Sequence, residues 1–403
     1  MLARLDDRFR DKPEGREAEA ILKACVHCGF CTAACPTYRL LGDERDGPRG
    51  RIYLIKSMLE GEPATERTRN HLDRCLSCRA CESACPSGVR YGRLADIARG
   101  IVEERAPRPG LERFKRKLLR MILPYPARLA PWVGLARRLC PLLPPALRRK
   151  LLPAAAPLPW PPARHPRTML ALGGCVQSVL APSIDAAAAR VLDRLGISLI
   201  RISESGCCGA LSYHLGAHEE GLDFMRRNVD AWWPAIEAGA EAIVITASGC
   251  GVMVKEYGEL LRDDPAYAEK AARVSALARD LSEAVAAEDW RSLPAVQKRR
   301  IAFQSPCTLQ HGQRLNGLVE ELLQGLGFEL TPVADAAVCC GSAGTYSLLQ
   351  PALSSRLRED KLRNLEAGDP DVIATANIGC LAHLASGTGR PVRHWVELLD
   401  RCY

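Results

Sequence analysis

The chain has 403 residues, of which 47% are apolar and 25% are charged, and its formal net charge is +8. This composition is typical of a folded globular protein, and the length predicts two or three domains. The sequence lacks a run of about 20 apolar residues, which excludes a membrane-spanning helix. Its charged first residues predict no secretory leader, so we expect a cytoplasmic protein whose eighteen cysteines are reduced or bound to metal.

Two cysteine runs dominate the N-terminal part of the chain. Residues 25–36 and 75–86 both have the spacing C-x2-C-x2-C-x3-C-P. In bacterial ferredoxins this spacing ligates [4Fe–4S] clusters, and the fourth cysteine of each run binds the cluster held by the other run. We therefore predict one cluster with the ligands Cys25, Cys28, Cys31 and Cys85. The predicted ligands of the other cluster are Cys75, Cys78, Cys81 and Cys35.

The alternatives for closely spaced cysteines are zinc binding or, in a secreted protein, a disulfide. A zinc site needs four ligands, usually in two separated pairs, and this does not explain two runs that each end in Cys-Pro. Apolar periodicity and stop signals predict helices over residues 14–24, 48–61 and 65–74, around the two runs. Residues 1–105 are therefore predicted to form a helical ferredoxin-type domain with two [4Fe–4S] clusters.

Residues 106–167 differ in composition from the rest of the chain. They contain fourteen prolines, fourteen Lys or Arg residues and a single acid, Glu112. We interpret the segment as a basic, proline-rich linker in which residues 115–123 have the pattern of an amphipathic helix. Such a helix can lie on an anionic membrane surface or contact an acidic partner, and a solvated linker that wraps a neighbouring subunit is the alternative. Nucleic-acid binding is not predicted, because neither aromatic residues nor a known motif accompanies the charge.

From residue 168 the sequence repeats itself, and we divide it into repeats 168–295 and 296–403. Four cysteines of the first repeat recur 130–132 residues later in the second. The first set is Cys175, Cys207, Cys208 and Cys250, and the second set is Cys307, Cys339, Cys340 and Cys380. A tandem duplication accounts for these matching offsets.

Each repeat alternates short apolar runs with helical patterns. The first has strand patterns at 168–173, 198–202 and 242–246, and helical patterns at 184–195 and 223–238. The second has strand patterns at 300–304, 329–333 and 371–375, and helical patterns at 318–326 and 351–367. This alternation predicts βαβ units and mainly parallel sheets. The fold class is thus multi-domain: a helical di-cluster ferredoxin domain followed by two tandem α/β repeats.

The repeated cysteines follow predicted strands, so the four thiols of each repeat are expected to meet at the carboxyl edge of a sheet. Three roles are open: an additional iron–sulfur cluster, a zinc site, or a role as free thiols or a redox disulfide. The repeats resemble the cysteine-rich CCG domain, which has a first cysteine, then Cys-Cys-Gly, then C-x-x-C. The last cysteine of that pattern is replaced here by Met253 and His383.

The sequence contains neither the G-x-G-x-x-G fingerprint of dinucleotide-binding folds nor the G-x-x-x-x-G-K-[ST] loop of nucleotide hydrolases. Iron–sulfur clusters transfer single electrons, whereas a two-electron oxidation of an organic substrate requires a flavin or nicotinamide. We therefore expect one subunit of a complex that receives electrons from a flavin-containing partner.

Several longer stretches of sequence indicate a particular protein family. They include Gly-Asp-Glu-Arg-Asp-Gly-Pro-Arg-Gly-Arg at residues 42–51, Pro-Ser-Gly-Val-Arg-Tyr at 86–91, Ala-Trp-Trp-Pro-Ala-Ile-Glu-Ala-Gly-Ala at 231–240 and Thr-Ala-Ser-Gly-Cys-Gly at 246–251. Together with the cysteine runs, they resemble the iron–sulfur subunits of glycolate oxidase (glycolate dehydrogenase) over nearly the whole chain except the proline-rich segment. The resemblance implies FAD-binding partner subunits that oxidise glycolate to glyoxylate, and a quinone or other membrane-associated electron acceptor. It also implies that the substrate site lies on a partner subunit.

There are two alternatives to this functional assignment. Iron–sulfur subunits of related flavin-dependent dehydrogenases, acting on glycerol 3-phosphate or lactate, share the two runs and the duplicated domain. We do not expect the Trp-Trp-Pro stretch in them. A non-redox metal-binding assembly subunit is the alternative from another class, although eight thiolates arranged for two adjacent clusters are an elaborate way to stabilise a small domain.

Overall fold

The computed structural model describes residues 1–140, 159–294 and 298–400. The first 105 residues are helical. The helices are Asp7–Arg10, Pro13–Ala24, Phe30–Ala33, Pro36–Leu41, Pro48–Leu59, Glu66–Asp73, Ala80–Ser83 and Tyr91–Arg105, with a 3₁₀ turn at Glu44–Asp46. Three of them begin with proline, which is favoured at the first helical position because its missing N–H needs no partner there. The longer helices bury one apolar face each, in a core that includes Leu22, Ile55 and Leu94.

The described part of the proline-rich segment is mainly helical. It forms two helices, Gly110–Ile122 and Pro126–Arg138, while residues 141–158 lie outside the described ranges. The first helix is attached to the ferredoxin-type domain through charged groups: Arg116 is buried and donates to Asp73 at 2.9 Å. Its apolar side chains face the opposite way, and Phe114 is 61% exposed. The predicted amphipathic helix is therefore present, with its apolar face towards solvent.

The two repeats each contain a four-stranded parallel sheet. The first sheet consists of β1 (Arg167–Ala171), β2 (Ile197–Arg201), β3 (Ile243–Ile245) and β4 (Ala278–Asp280), in the order β2-β1-β3-β4. The second consists of β5 (Arg300–Gln304), β6 (Glu329–Leu330), β7 (Val372–Thr375) and β8 (Val392–His394), in the order β6-β5-β7-β8. All described strand pairs in both sheets are parallel.

Helices cover the faces of both sheets. In the first repeat they are Val176–Leu180, Ser183–Arg194, Ala210–His214, His218–Glu237, Ser248–Lys255, Tyr257–Leu260, Ala268–Leu277 and Leu281–Ala286, with a 3₁₀ turn at Trp290–Ser292. In the second they are Leu318–Gly325, Tyr346–Leu349, Pro351–Glu366, Ile378–Ala385 and Trp395–Asp400, with a π-helical turn at Thr308–Gly312. The predicted fold class is confirmed. The fourth strand of each sheet was not predicted, and the division between repeats at 295/296 lies outside the described residues.

The repeats meet through one continuous apolar core and through the loops at the carboxyl ends of their strands. Helices Ser183–Arg194 and Trp395–Asp400 pack against each other in this core. At the loops, His394 Nε2 lies 2.9 Å from the carbonyl oxygen of Thr246, and Ser248 Oγ lies 2.7 Å from Thr308 Oγ1. The sheet edges that carry the repeated cysteines are therefore on the same side of the molecule.

Candidate iron–sulfur sites

The two cysteine runs adopt the same backbone conformation. The residues on either side of the second cysteine have positive φ in both runs: His27 (56°) and Gly29 (87°) in the first, Ser77 (51°) and Arg79 (59°) in the second. Non-glycine residues rarely adopt this conformation, and when they do they cluster at functional sites. A one-turn helix follows each time, at Phe30–Ala33 and Ala80–Ser83. The runs are thus two copies of one loop that curls around its cysteines.

The first three cysteines of the first run are joined by the last cysteine of the second. A cavity is lined by Cys25, Cys28, Cys31 and Cys85 together with Cys81. Burial raises the pKa of Cys31, and the nearby sulfurs of Cys25, Cys85 and Cys28 raise it further. We call these four cysteines the outer set, because Cys28 is exposed to solvent.

The complementary exchange brings Cys35 to the second run. Burial raises the pKa of Cys78 and of Cys81, and the sulfur of Cys35 contributes to the increase in both. All four cysteines of this group are buried, and we call them the inner set: Cys35, Cys75, Cys78 and Cys81. The structure therefore groups the eight cysteines as the spacing predicts. Their role as iron ligands stays a prediction.

Two arginines, which the sequence analysis did not identify, lie beside the inner set: Arg51 is buried and the side chain of Arg99 is 11% exposed. Arg51 is 1% exposed, and its Nη1 is 4.0 Å from Cys35 Sγ. Arg99 donates to the carbonyl oxygen of Cys75 at 2.8 Å. Burial raises the pKa of Cys75, but the charges of Arg51 and Arg99, together with hydrogen bonds such as that from the backbone N–H of Ser77, lower it overall. Buried cysteine sulfurs with adjacent cations are a suitable environment for an anionic cluster, so the inner set fits the predicted cofactor.

One further group of side chains that could bind a metal ion occurs among the described residues: Asp43, Asp46 and His71. The carboxylates of this group already form ion pairs with arginines. Arg45 Nη2 is 2.7 Å from Asp43 Oδ2, and Arg74 Nη1 is 2.8 Å from Asp46 Oδ2. This group is accordingly an ion-pair network that supports the loop before helix Pro48–Leu59.

The four thiols of the first repeat meet at the carboxyl edge of its sheet, as predicted. Neighbouring thiols interact in the order Cys175, Cys207, Cys208 and Cys250, and these interactions raise the pKa of Cys175 and of Cys208. The pKa of Cys207 is lowered because the thiols of Cys175 and Cys208 donate to its sulfur. Asn228 Nδ2 and the hydroxyl of Tyr257 bond the carbonyl oxygens of Cys207 and Cys208, respectively, at 2.9 Å each.

The second repeat has the same row of thiols: Cys307, Cys339, Cys340 and Cys380. The sulfurs of Cys307 and Cys339 are 3.8 Å apart. This row differs from the first in its neighbours. Cys339 belongs to a small apolar cluster with Cys78 and Leu76 of the second run, and Cys307 packs against that cluster. After burial, the sulfur of Cys307 makes the largest contribution that raises the pKa of Cys78. The inner set therefore adjoins the thiols of the second repeat.

The two positions that replace the last cysteine of the CCG pattern are used in other ways. Met253 is buried and lines cavities between the first repeat and the ferredoxin-type domain. His383 Nε2 lies 3.1 Å from Ser354 Oγ, which in turn donates to the carbonyl oxygen of Gly341 at 2.7 Å. His383 thus supports the Cys-Cys-Gly loop from behind.

Comparisons with known proteins agree with this geometry. The model of a 4Fe-4S dicluster domain matches residues 21–89, and the model of a cysteine-rich domain matches residues 170–255 and 301–385. The chain is 56% identical to the glycolate oxidase iron-sulfur subunit of Escherichia coli (strain K12), with coverage of 100% of this chain and 99% of that protein. It is 30% identical to a probable glycolate oxidase iron-sulfur subunit of Bacillus subtilis (strain 168), covering 96% and 93% of the two chains.

A more distant similarity concerns part of the chain only. Lactate utilization protein A of Shouchella clausii (strain KSM-K16) is 26% identical over 56% of this chain and 95% of its own length. Within the described ranges, none of the helices combines the length and apolar character that crossing a bilayer requires.

Proposed function

Because the chain belongs to the family of glycolate oxidase iron–sulfur subunits, we propose that it transfers electrons from FAD-containing subunits that oxidise glycolate to glyoxylate. The oxidation releases two electrons, which the chain would pass singly towards a quinone or another membrane acceptor. The observation that carries this proposal is the adjacency of two sets of four thiols. Cys81 of the inner set lines the cavity of the outer set, so electrons need to cross only a short distance between them.

Each set would hold one [4Fe–4S] cluster, and each cluster supplies one-electron redox chemistry when bound. The residues of the chain hold and position these groups. The positive-φ loops fix the direction of the first three cysteines of each run, and the fourth cysteine joins the two halves of the domain. Exposed Cys28 marks the side on which the outer set is open to a partner, whereas the inner set is enclosed by protein.

The thiols of the second repeat extend this arrangement. Cys307 and Cys339 are placed next to Cys78, so an additional cluster bound there would be the next carrier after the inner set. Zinc at the same thiols would instead be structural. We assign both repeats, 168–295 and 296–403, to a supporting role for the ferredoxin-type domain 1–105, and the second repeat also to electron transfer.

The basic segment 106–167 would bring the subunit to the inner membrane surface from the cytoplasmic side. Leu111, Phe114 and Trp132 are 67%, 61% and 62% exposed on its two helices. Basic residues such as Lys115 and Lys117 flank them, which suits a surface of anionic lipids.

Membrane binding is tested by sedimentation of the protein with phosphatidylglycerol-containing vesicles. Phe114→Glu with Trp132→Glu should weaken binding at least tenfold, whereas Leu348→Glu, at an exposed apolar site elsewhere, should not.

The function itself is tested on anaerobically purified protein. Iron, acid-labile sulfide and zinc are measured first, and EPR spectra are then recorded after addition of the flavin-containing subunits and glycolate. We expect about eight irons per chain and reduced [4Fe–4S] signals that appear with glycolate. About eleven to sixteen irons would place a further cluster in the repeats. Stoichiometric zinc with little iron, or clusters that glycolate leaves oxidised, would contradict the proposal.

Lactate is the substrate of the main alternative, which the relatedness to Lactate utilization protein A favours. The same experiment with lactate, and with glycerol 3-phosphate, separates these assignments. Reduction by glycolate at a rate far above that with either competitor supports the glycolate oxidase assignment.

A further inference from the structure

Arg51 stands out among the buried charged groups, because it contacts the inner set from within the protein. Its Nε donates to the carbonyl oxygen of His71 at 2.7 Å, and its Nη2 donates to Thr37 Oγ1 at 3.1 Å. These bonds hold the guanidinium against Cys35, whose Sγ is 4.0 Å from Nη1. Fixed in this way, the positive charge has little freedom to move away from the thiols.

The carboxylate nearest to Arg51 also bonds two other side chains. Asp46 Oδ1 is 3.5 Å from Arg51 Nη2, but the same oxygen is 2.9 Å from His71 Nδ1. The other oxygen of Asp46 is 2.8 Å from Arg74 Nη1. One negative charge is therefore shared by two arginines and a histidine.

On the side of Cys75, the charges balance more closely. Arg99 Nη1 is 3.3 Å from Asp96 Oδ1, and His214 Nδ1 is 2.9 Å from the same oxygen. The excess positive charge beside the inner set thus comes from the side of Arg51.

The outer set has a different electrostatic environment. The cations beside it are partly exposed. Arg49, in the lining of its cavity, is 43% exposed, with its Nε 2.6 Å from Glu44 Oε1, and the amino group of Met1 donates to the carbonyl oxygen of Cys25 at 2.7 Å. Solvent screens such charges more than it screens the charge of buried Arg51, so their effect on the thiols is smaller. Cys28 itself is exposed, which adds screening by water.

Reduction adds one negative charge to a cluster, and a nearby buried cation stabilises the reduced form more strongly than a cation in water. Net charge, hydrogen bonds and solvent exposure are the features by which a protein sets the potential of such a cluster. We propose that Arg51 raises the reduction potential of the cluster at the inner set above that of the cluster at the outer set. This inference rests on the proposed function. Electrons would then enter at the exposed outer set and be drawn inwards, towards Cys78 and the second repeat.

The test is an EPR-monitored redox titration of the full chain, purified anaerobically with its clusters. A Cys28→Ser background, in which only the inner set keeps four thiols, identifies the signal of the inner cluster. In the parent chain, the inner cluster should titrate at the higher potential. Arg51→Gln should lower its potential by at least about 59 mV, a tenfold change in a one-electron equilibrium. The potential of the outer cluster should change far less.

Three further variants determine whether charge is the cause. Arg51→Lys keeps the charge and should restore most of the potential. Asp46→Asn removes the shared negative charge and should shift the inner potential in the opposite direction, so the inference is tested even if Arg51→Gln fails to retain iron. Arg45→Gln removes an exposed charge, paired with Asp43, from the same segment and should have little effect.

The outcomes separate this inference from the proposed function. Full iron content with an unchanged inner potential in both Arg51→Gln and Asp46→Asn would overturn the role of Arg51 while leaving electron transfer intact. Equal shifts of both clusters, or an outer cluster at the higher potential in the parent, would overturn it as well. A parent chain without [4Fe–4S] signals would overturn both proposals.

Discussion

The two cysteine-rich repeats have the same four thiols in the same row but different surroundings. The thiols of the first repeat are supported by groups of their own repeat, such as Asn228 and Tyr257. Those of the second repeat lie against the ferredoxin-type domain, where Cys339 shares an apolar cluster with Cys78. Duplication thus produced two equivalent sites, and the position of one neighbouring domain made them unequal.

This asymmetry also affects the thiols themselves. In the first repeat, the pKa of Cys207 is lowered because Cys175 and Cys208 donate to it. For Cys339, the hydrogen bond with Cys307 acts in the same direction, but the contact with Cys340 and burial outweigh it and raise the pKa. The pKa values of equivalent cysteines are therefore shifted in opposite directions in the two repeats.

The largest expected effect follows from removing the residue at which the inner set meets the second repeat. Cys78→Ser should lose one of two clusters, about four of about eight irons per chain. Cys28→Ser should lose a similar amount from the outer set, but without disturbing the second repeat. Iron analysis with EPR of both variants checks this. Unchanged iron content in either variant would contradict the ligand assignment.

A second experiment compares variants of equivalent cysteines in the two repeats. Cys307→Ala should alter the EPR line shape or potential of the inner cluster, because Cys307 packs against the apolar cluster that contains Cys78 and interacts with its sulfur. The equivalent Cys175→Ala should leave the inner cluster unchanged, since its described thiol neighbours belong to the first repeat. Equal effects of the two variants would show that the asymmetry has no functional consequence.

Much of this arrangement was predictable from the sequence, because it depends on local spacing. The cysteine runs predict the exchange of Cys35 and Cys85, and the alternating patterns predict parallel sheets with thiols at their carboxyl edges. Strands β4 and β8 were missed, since Ala-Arg-Asp and Val-Arg-His are too short and polar to show a strand pattern.

The remaining features depend on tertiary packing. Nothing in the local sequence places Cys307 beside Cys78, which is more than 200 residues away along the chain. Arg51 belongs to a stretch that is particular to the resemblance, but its sequence neighbours do not reveal that it is buried against a thiol. Charged residues are rarely buried, so the sequence alone favours a solvent-exposed arginine at this position.

A smaller difference between the repeats concerns two equivalent threonines, Thr246 directly after β3 and Thr375 at the end of β7. Thr246 Oγ1 donates to Asp185 Oδ1 at 2.6 Å, whereas Thr375 Oγ1 donates to Gln304 Oε1 at 2.7 Å. Burial raises the pKa of Asp185 from 3.8 to about 6. The folded state therefore holds this proton more tightly than the unfolded state, and stability should fall as pH rises from about 4 to about 6.

Asp185→Asn gives the first repeat an amide, as in the second, and should remove this pH dependence. The expected gain in the free energy of unfolding at pH 7, relative to the parent, is about 3 kcal/mol, with a far smaller gain at pH 4. Urea denaturation at both pH values measures it. A gain of the same size at both pH values would show that the carboxyl group does not titrate as proposed.

The smallest expected effect concerns the tyrosines that follow the Cys-Cys-Gly loops and bind the ferredoxin-type domain. The hydroxyl of Tyr346 donates to the carbonyl oxygen of Arg74 at 3.2 Å, whereas that of Tyr213 accepts from the guanidinium of Arg93. Tyr346→Phe removes a neutral hydrogen bond and should cost about 1 kcal/mol of unfolding free energy. Tyr213→Phe removes a bond to a charged group and should cost about 2 kcal/mol. Urea denaturation of both variants under the same anaerobic conditions measures the two losses of unfolding free energy. A larger loss for Tyr346→Phe would contradict this order. It would mean that the tyrosine of the second repeat binds the ferredoxin-type domain more strongly than the tyrosine of the first.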